Sequence, residues 1–541
     1  MNQQTPPPPP PSDSSGEGSS SAPPSGSTPG QQPAPTTSPG SGSSASGWKV
    51  ATALTAVMAV ILTGTVYFLM DRQINSLEED LESTRAELAE AEESADDPLG
   101  GLADLFGDLG ESGDLGDLGD LGDLLGSDEL GGSDLSGLDP ILLECLSPDL
   151  GSGLGGEGSI PDADIETQVE AVRDILEDER GLVSDGDLDI EFVSQDEVQQ
   201  RVVELTEEEL DEQLAEADAR LLAALGAVEP GADLVDMQLD LLDAGVGGFY
   251  SPETRELVIG SEEIDGMGAY ITSHEMVHAL ADAQFGLPDT TDVAEARGSD
   301  AAYAALNAIE GDATLYGQMF ISDHLPMDEL LALDAESAHT AETMEAFPHV
   351  LQRDLEFPYI EGMAFSCDLY LDGGWEAVNE TYSELPTTSA QILFPDRYRA
   401  GEGAVEVSTP QGPSGWEELH NDTFGAADLL FLLEAPGDDP EAALDDPKER
   451  VRAWAGGEST VWDGNGETAV SVVLAEHEEG PDLCQTIVDY YGAAFPDTTA
   501  ADDAGDTVFE GDDHVGIVSC ADGEVALGIA PDVDTAREVL P

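Results

Sequence analysis

Apolar and polar positions divide the chain into stretches of contrasting pattern. Residues 1–47 carry almost no apolar side chains among their Pro, Ser and Gly, a composition that cannot offset the entropy of ordering, so a disordered arm is expected. From Val50 to Met70 no charge interrupts 21 residues, enough helix at ~1.5 Å per residue to cover a ~30 Å hydrocarbon core. This predicts one transmembrane helix over 48–70. Tyr67 to Met70 run straight into Asp71 with no small-residue exit, which fits a signal anchor rather than a cleaved signal peptide. Lys49 before the span and the acidic region after it place the N-terminus in the cytoplasm and the remainder outside, with Arg72 as a contrary charge. Ile74, Leu77, Leu81, Thr84, Leu88 and Ala91 recur at three- and four-residue steps. They give a helical stalk over 71–95 that either pairs as a short coiled coil, making a homodimer, or stands alone. Residues 96–158, rich in Gly, Asp and Leu, read as a linker.

Beyond the linker the pattern alternates between helical and strand-like periods, so the fold class is α+β. Ile165, Val169, Val172, Ile175 and Leu176 form an amphipathic stripe, Leu188 to Val193 a strand, and the next segment a long helix ending near Leu225. Phe249 to Ile259 reads as two short strands about a turn at Ser251 to Thr254. Residues 159–400 are assigned to one domain. Residues 401–541 are assigned to a small C-terminal α+β domain, where the sequence turns turn-rich and Ala469 to Pro541 shows a strand, a helix, further strands and a last helix.

Charge narrows the partners. With 116 Asp and Glu against 16 Lys and Arg, the formal charge is −100, which excludes nucleic acid and disfavours an anionic lipid surface. So much acid reflects either a need to stay hydrated in strong salt or a bias of the whole lineage, and neither identifies a substrate. The four cysteines are too scattered for a metal knuckle. Outside the cytosol they suit two disulfides, Cys484 with Cys520 and Cys145 with Cys367, against the alternative of buried free thiols.

The chemistry centres on His274-Glu275-Met276-Val277-His278. Histidines four apart on a helix leave from one face and can hold one Zn²⁺, and Glu275 between them can take a proton from a water whose pKa the ion lowers towards ~7. That chemistry attacks amides, so a peptide or protein substrate is expected. A third ligand leaves one position open for water, and Glu310 is the choice. Ala301, Ala305, Ile309 and Leu315 place it on a second helix able to pack on the first, where a buried carboxylate wants a cation.

These residues resemble the gluzincin metallopeptidases, the thermolysin-like clan in which an HExxH helix is followed by a helix bearing a glutamate ligand. Gly248 to Thr254, His274 to Asp282 and Glu310-Gly311-Asp312-Ala313 are similar to a group of bacterial and archaeal membrane-associated zinc peptidases. So are Phe357-Pro358-Tyr359, Gly362, Gly373-Gly374-Trp375 and Thr387 to Tyr398, and the resemblance covers about 160–400. It implies a thermolysin-like core in which the catalytic helices pack on a small sheet. It also implies one zinc per chain on His274, His278 and Glu310, Glu275 as general base, and a cleft lined by the strand around Phe249 and Val258 where a peptide adds as a further strand. Asp282 is either a carboxylate orienting a ligand histidine or an exposed helix acid, and Asp312 is equally open. The sequence departs from the group at Ala390 and Phe394, where Glu and His are expected, which leaves the oxyanion donor open; Tyr359 is the candidate.

Overall fold

The computed structural model describes residues 55–57, Ile141, Leu142, Cys145 and 160–541 apart from short stretches, the longest being 334–343. In chain order the elements are β1 (Thr55–Val57), α1 (Ile165–Glu179), β2 (Asp189–Phe192), α2 (Gln195–Glu209), α3 (Glu212–Leu225), α4 (Leu234–Gly245), β3 (Gly248–Ser251) and β4 (Glu256–Ile259). Then come α5 (Gly266–Phe285), α6 (Thr290–Arg297), α7 (Ser299–His324), α8 (His349–Glu380), α9 (Ser389–Leu393) and α10 (Pro395–Ala400). The C-terminal part holds β5 (Glu417–Thr423), α11 (Ala426–Glu434), α12 (Pro447–Val451), β6 (Trp454–Gly464), β7 (Glu467–Glu476), α13 (Leu483–Ala494), β8 (Thr499–Asp503), β9 (Asp506–Glu510), β10 (Val515–Ala521), β11 (Glu524–Ala530) and α14 (Val533–Glu538). The fold class is α+β, as expected.

Local signals explain most boundaries. Asp164 caps α1 by accepting from the Thr167 amide, and Val172 and Leu176 form its buried face. The single long helix expected up to Leu225 is two helices, because Asp211 accepts from the Gln213 and Leu214 amides and so starts α3 afresh. α3 ends on Gly226, whose φ of 79° no larger residue adopts freely. The expected hairpin is present: β3 and β4 run antiparallel with Gly248 opposite Ile259, and β2 joins β4 in parallel.

The arm, the stalk and nearly all of the linker lie outside the described residues, as does most of the segment read as a membrane helix. Its described residues, Thr55–Val57, are strand and not helix: β1 lies antiparallel to β3, with Ala56 opposite Phe249. Thr55 and Val57 are β-branched, and pairing satisfies backbone groups along the edge of β3. Among the described residues no helix is long and apolar enough to cross a membrane.

The small sheet, in the order β1-β3-β4-β2, carries α5 on β3 and β4, and α7 packs against both α5 and α8. α5 and α7 are buried on every side over most of their length, and they carry polar side chains, among them His274, Glu275, His278, Glu310 and Asp312, into that interior. α8 includes Pro358 and kinks at Gly374, whose φ of 65° and ψ of −163° break the helical path.

The C-terminal sheet is antiparallel with seven strands in the order β5-β6-β7-β11-β10-β9-β8. It starts at Glu417, well before the strand expected at Ala469, because β5 is polar and β6 rich in Gly, which hides the period of two. One apolar core runs from α8 through α11 into this sheet, and Phe357 meets Phe431 edge-on at 5.5 Å, so packing does not break at residue 400. Both outer strands carry acid: β8 is exposed throughout and ends in Asp502 and Asp503, and β5 opens with exposed Glu417 and Glu418. The two disulfides pair as expected, Cys484 with Cys520 tying α13 to β10, and Cys145 with Cys367 on α8.

Candidate metal centre

His274 and His278 lie one turn apart on α5, facing Glu310 on α7. The Nε2 atoms of the two histidines are 3.0 Å apart, and Glu310 Oε2 stands 3.2 Å from one and 3.4 Å from the other. A tetrahedral ion with bonds of ~2.0–2.2 Å separates its ligand atoms by about 3.3 Å, so these three donors fit a single small cation. All three residues are buried, and among the described residues they form the group able to hold a metal ion. Neither Nδ1 has a hydrogen-bond partner among the described residues, so the ring orientations come from packing and from the shared carboxylate.

Electrostatics set the roles apart. Burial pushes the His274 imidazole down to about 4 against the opposing pull of Glu310, which keeps it neutral and able to donate a lone pair. Burial alone would raise the Glu310 carboxyl, but the histidines, His278 foremost, hold it down to about 2. Glu275 goes the other way: burial first and the Glu310 charge second lift it well above the usual carboxylate range. The Tyr250 backbone N–H opposes the rise without cancelling it, so the group favours taking up a proton. Space beside it comes from Gly248 on β3, where a Cβ would lie 3.7 Å from Glu275 Cγ and collide with Ile271.

The sequence Glu310-Gly311-Asp312 turns three successive faces of α7 to three tasks. Glu310 meets the histidines. Gly311 lies so close to α8 that a Cβ there would sit 2.9 Å from Gly362 Cα and nearer still to its carbonyl group. Asp312 turns away from the histidines and receives Arg180 Nε at 3.0 Å and Nη2 at 2.7 Å, together with the Tyr382 hydroxyl at 2.8 Å.

Other expected residues sort themselves by distance. Tyr359 on α8 is close, its ring centroid 6.3 Å from that of His274. Asp282 accepts from the Tyr250 hydroxyl at 2.8 Å and from the Leu287 amide at 3.0 Å, so it fastens β3 to the end of α5. Phe394 is buried with the Arg452 guanidinium 4.3 Å and the Arg397 guanidinium 5.2 Å from its ring centre, an environment built for an aromatic ring. Sequence reasoning missed Tyr270, one turn before His274 with its ring centroid 6.0 Å away and its hydroxyl against Gln318 and Thr314. Its i−4 spacing from His274 was the available signal. It also missed Arg180, which no motif marks.

The chain matches no family model, no curated protein and no solved structure.

Proposed function

We propose that the chain is a zinc-dependent peptidase of the gluzincin type, anchored to the membrane with its catalytic part outside the cytoplasm. The observation that carries this reading is the convergence of His274 Nε2, His278 Nε2 and Glu310 Oε2, with the buried Glu275 carboxylate on the helix that carries the two histidines. Bound to those three atoms, a zinc ion would polarise a substrate carbonyl and acidify a water. Glu275, on the same helix as the two histidines, would take the proton of the attacking water and pass it to the leaving amine. Tyr359, beside His274, is the candidate donor to the developing oxyanion. β3 supplies the edge on which an extended peptide adds through its backbone.

The charge-free stretch from Val50 to Met70 supports the anchor, and two disulfides suit an oxidising compartment. Thr55–Val57 cannot be in the membrane and on β3 at once, so insertion leaves that edge open to substrate. A second reading, a metal-bearing binding module without peptidase activity, draws on the complete burial of His274, Glu275 and His278. Metal content and cleavage of a denatured protein by the full-length chain in high salt, beside Glu275→Gln, separate the two. One zinc per chain in both proteins with cleavage only in the wild type is the expected result. Zinc without cleavage in either protein establishes the binding module, and a fully active Glu275→Gln protein removes the mechanism.

A further inference from the structure

Arg180 follows α1 directly and is wholly buried together with Asp312. Its guanidinium is held along one edge and one face: Nε and Nη2 both donate to Asp312, Nη2 also donates to Asn379 Oδ1 at 2.8 Å, and the flat face lies 4.4 Å from the Trp375 ring centre, while Nη1 is buried with no hydrogen-bond partner among the described residues. Trp375 and Asn379 belong to the turns of α8 beyond the kink at Gly374, and Tyr382, which closes the network on Asp312, lies just past its end. The network therefore joins α1, α7 and the end of α8 at one point.

A buried ion pair is a poor way to gain stability, since an apolar set of similar volume does as well or better. What a forked pair supplies is geometry, because two parallel N–H···O bonds form at only one relative placement of the partners. Asp312 is two residues from Glu310, and Gly311 between them abuts the backbone of α8. With the contact to α8 on one face and Arg180 on another, the rotation of α7 about its axis is fixed, and so is the direction of Glu310. A carboxylate about 6 Å from a helix axis moves about 2 Å for a 20° turn, enough to take it out of reach of a shared cation.

We infer that Arg180 is a positioning residue for the metal centre, acting through Asp312 to hold α7 at the rotation where Glu310 completes the ligand set. The inference rests on the zinc reading above. Its test is zinc affinity, by chelator competition, and the unfolding midpoint of the metal-free full-length chain. These are measured for wild type and for the double variant Arg180→Met/Asp312→Leu, which leaves no unpaired buried charge. The expected outcome is a metal-free midpoint within a few degrees of wild type and zinc affinity lower by tenfold or more. A merely structural role would move the midpoint and spare the affinity, so unchanged zinc affinity overturns the inference. Should the double variant not fold, Tyr382→Phe removes a single hydroxyl from the network. A several-fold loss of affinity is then expected, and wild-type affinity counts against the inference in the same way. Wild-type chain that binds no zinc is a distinct result, which defeats the zinc reading itself.

Discussion

Replacing Gly311 by Ala adds one methyl group where α7 and α8 touch, and the outcome depends on which of two effects is larger. Inside a helix, Ala is favoured over Gly by ~1 kcal/mol. Against this, the new Cβ would lie 2.9 Å from Gly362 Cα, where carbon atoms normally rest ~3.5–4.0 Å apart, and the carbonyl of Gly362 is closer still. The obstructing atoms are backbone and cannot rotate aside, so the helices must separate, and the overpacking cost falls near the upper end of the usual range, ~3 kcal/mol. The net loss is ~2 kcal/mol. Gly492 in α13 is the internal control, since a Cβ there meets only Phe509 Cε1 at an ordinary 3.7 Å. Gly492→Ala should therefore gain ~1 kcal/mol. Denaturant unfolding of the two variants beside the wild type reads the difference directly, with the midpoints moving in opposite directions. Gly311→Ala protein as stable as the wild type would refute the claim that α7 and α8 are in backbone contact at this point.

Zinc should raise the melting temperature of the wild type in proportion to the logarithm of its concentration, and Glu310→Ala should remove most of that shift. Differential scanning fluorimetry across a zinc titration decides it. Burial alone would lower the His420 pKa, but Asp422, with Asp218 and Glu418 nearby, raises it above its ordinary value, so its ion pairing stabilises the fold below about pH 6.5. That contribution is lost as the pH rises through the folded-state pKa, so the midpoint difference between wild type and His420→Gln should shrink above about pH 6.5, and a pH-independent difference would rule the account out. Replacing both Cys484 and Cys520 by Ser opens a loop with a sequence separation of 36 and should cost ~2–4 kcal/mol in guanidinium unfolding. An unchanged midpoint would show that the crosslink does not restrain the unfolded chain.

The candidate metal group was legible because metal chemistry imposes spacing: two histidines four apart share a helix face, and Glu310 lies on a buried helix that reaches them. The hairpin around Ser251 to Thr254 was legible for a similar reason, since turn residues between apolar runs announce it. The buried polar network was not. Arg180 and Asp312 are 132 positions apart, and no local period connects them. Nor does the sequence around Phe394 reveal that the ring packs against the guanidiniums of both Arg397 and Arg452. The polar residues of β5 conceal a strand whose outward face meets water and whose order in the sheet only long-range pairing decides.

The acid at both ends of the seven-stranded sheet bears on how copies of this protein meet one another. An open strand edge is a template for another chain, and here a second copy would have to bring Asp502 and Asp503, or Glu417 and Glu418, against carboxylates of the same sign. Mutual repulsion at the rims opposes edge-to-edge pairing of neighbouring molecules. The same charges lose range as salt concentration rises, with a screening length of ~3 Å at 1 M. In brine, then, the protection falls to the short-range hydration of those carboxylates, and a variant with amides at these four positions would be the first to aggregate.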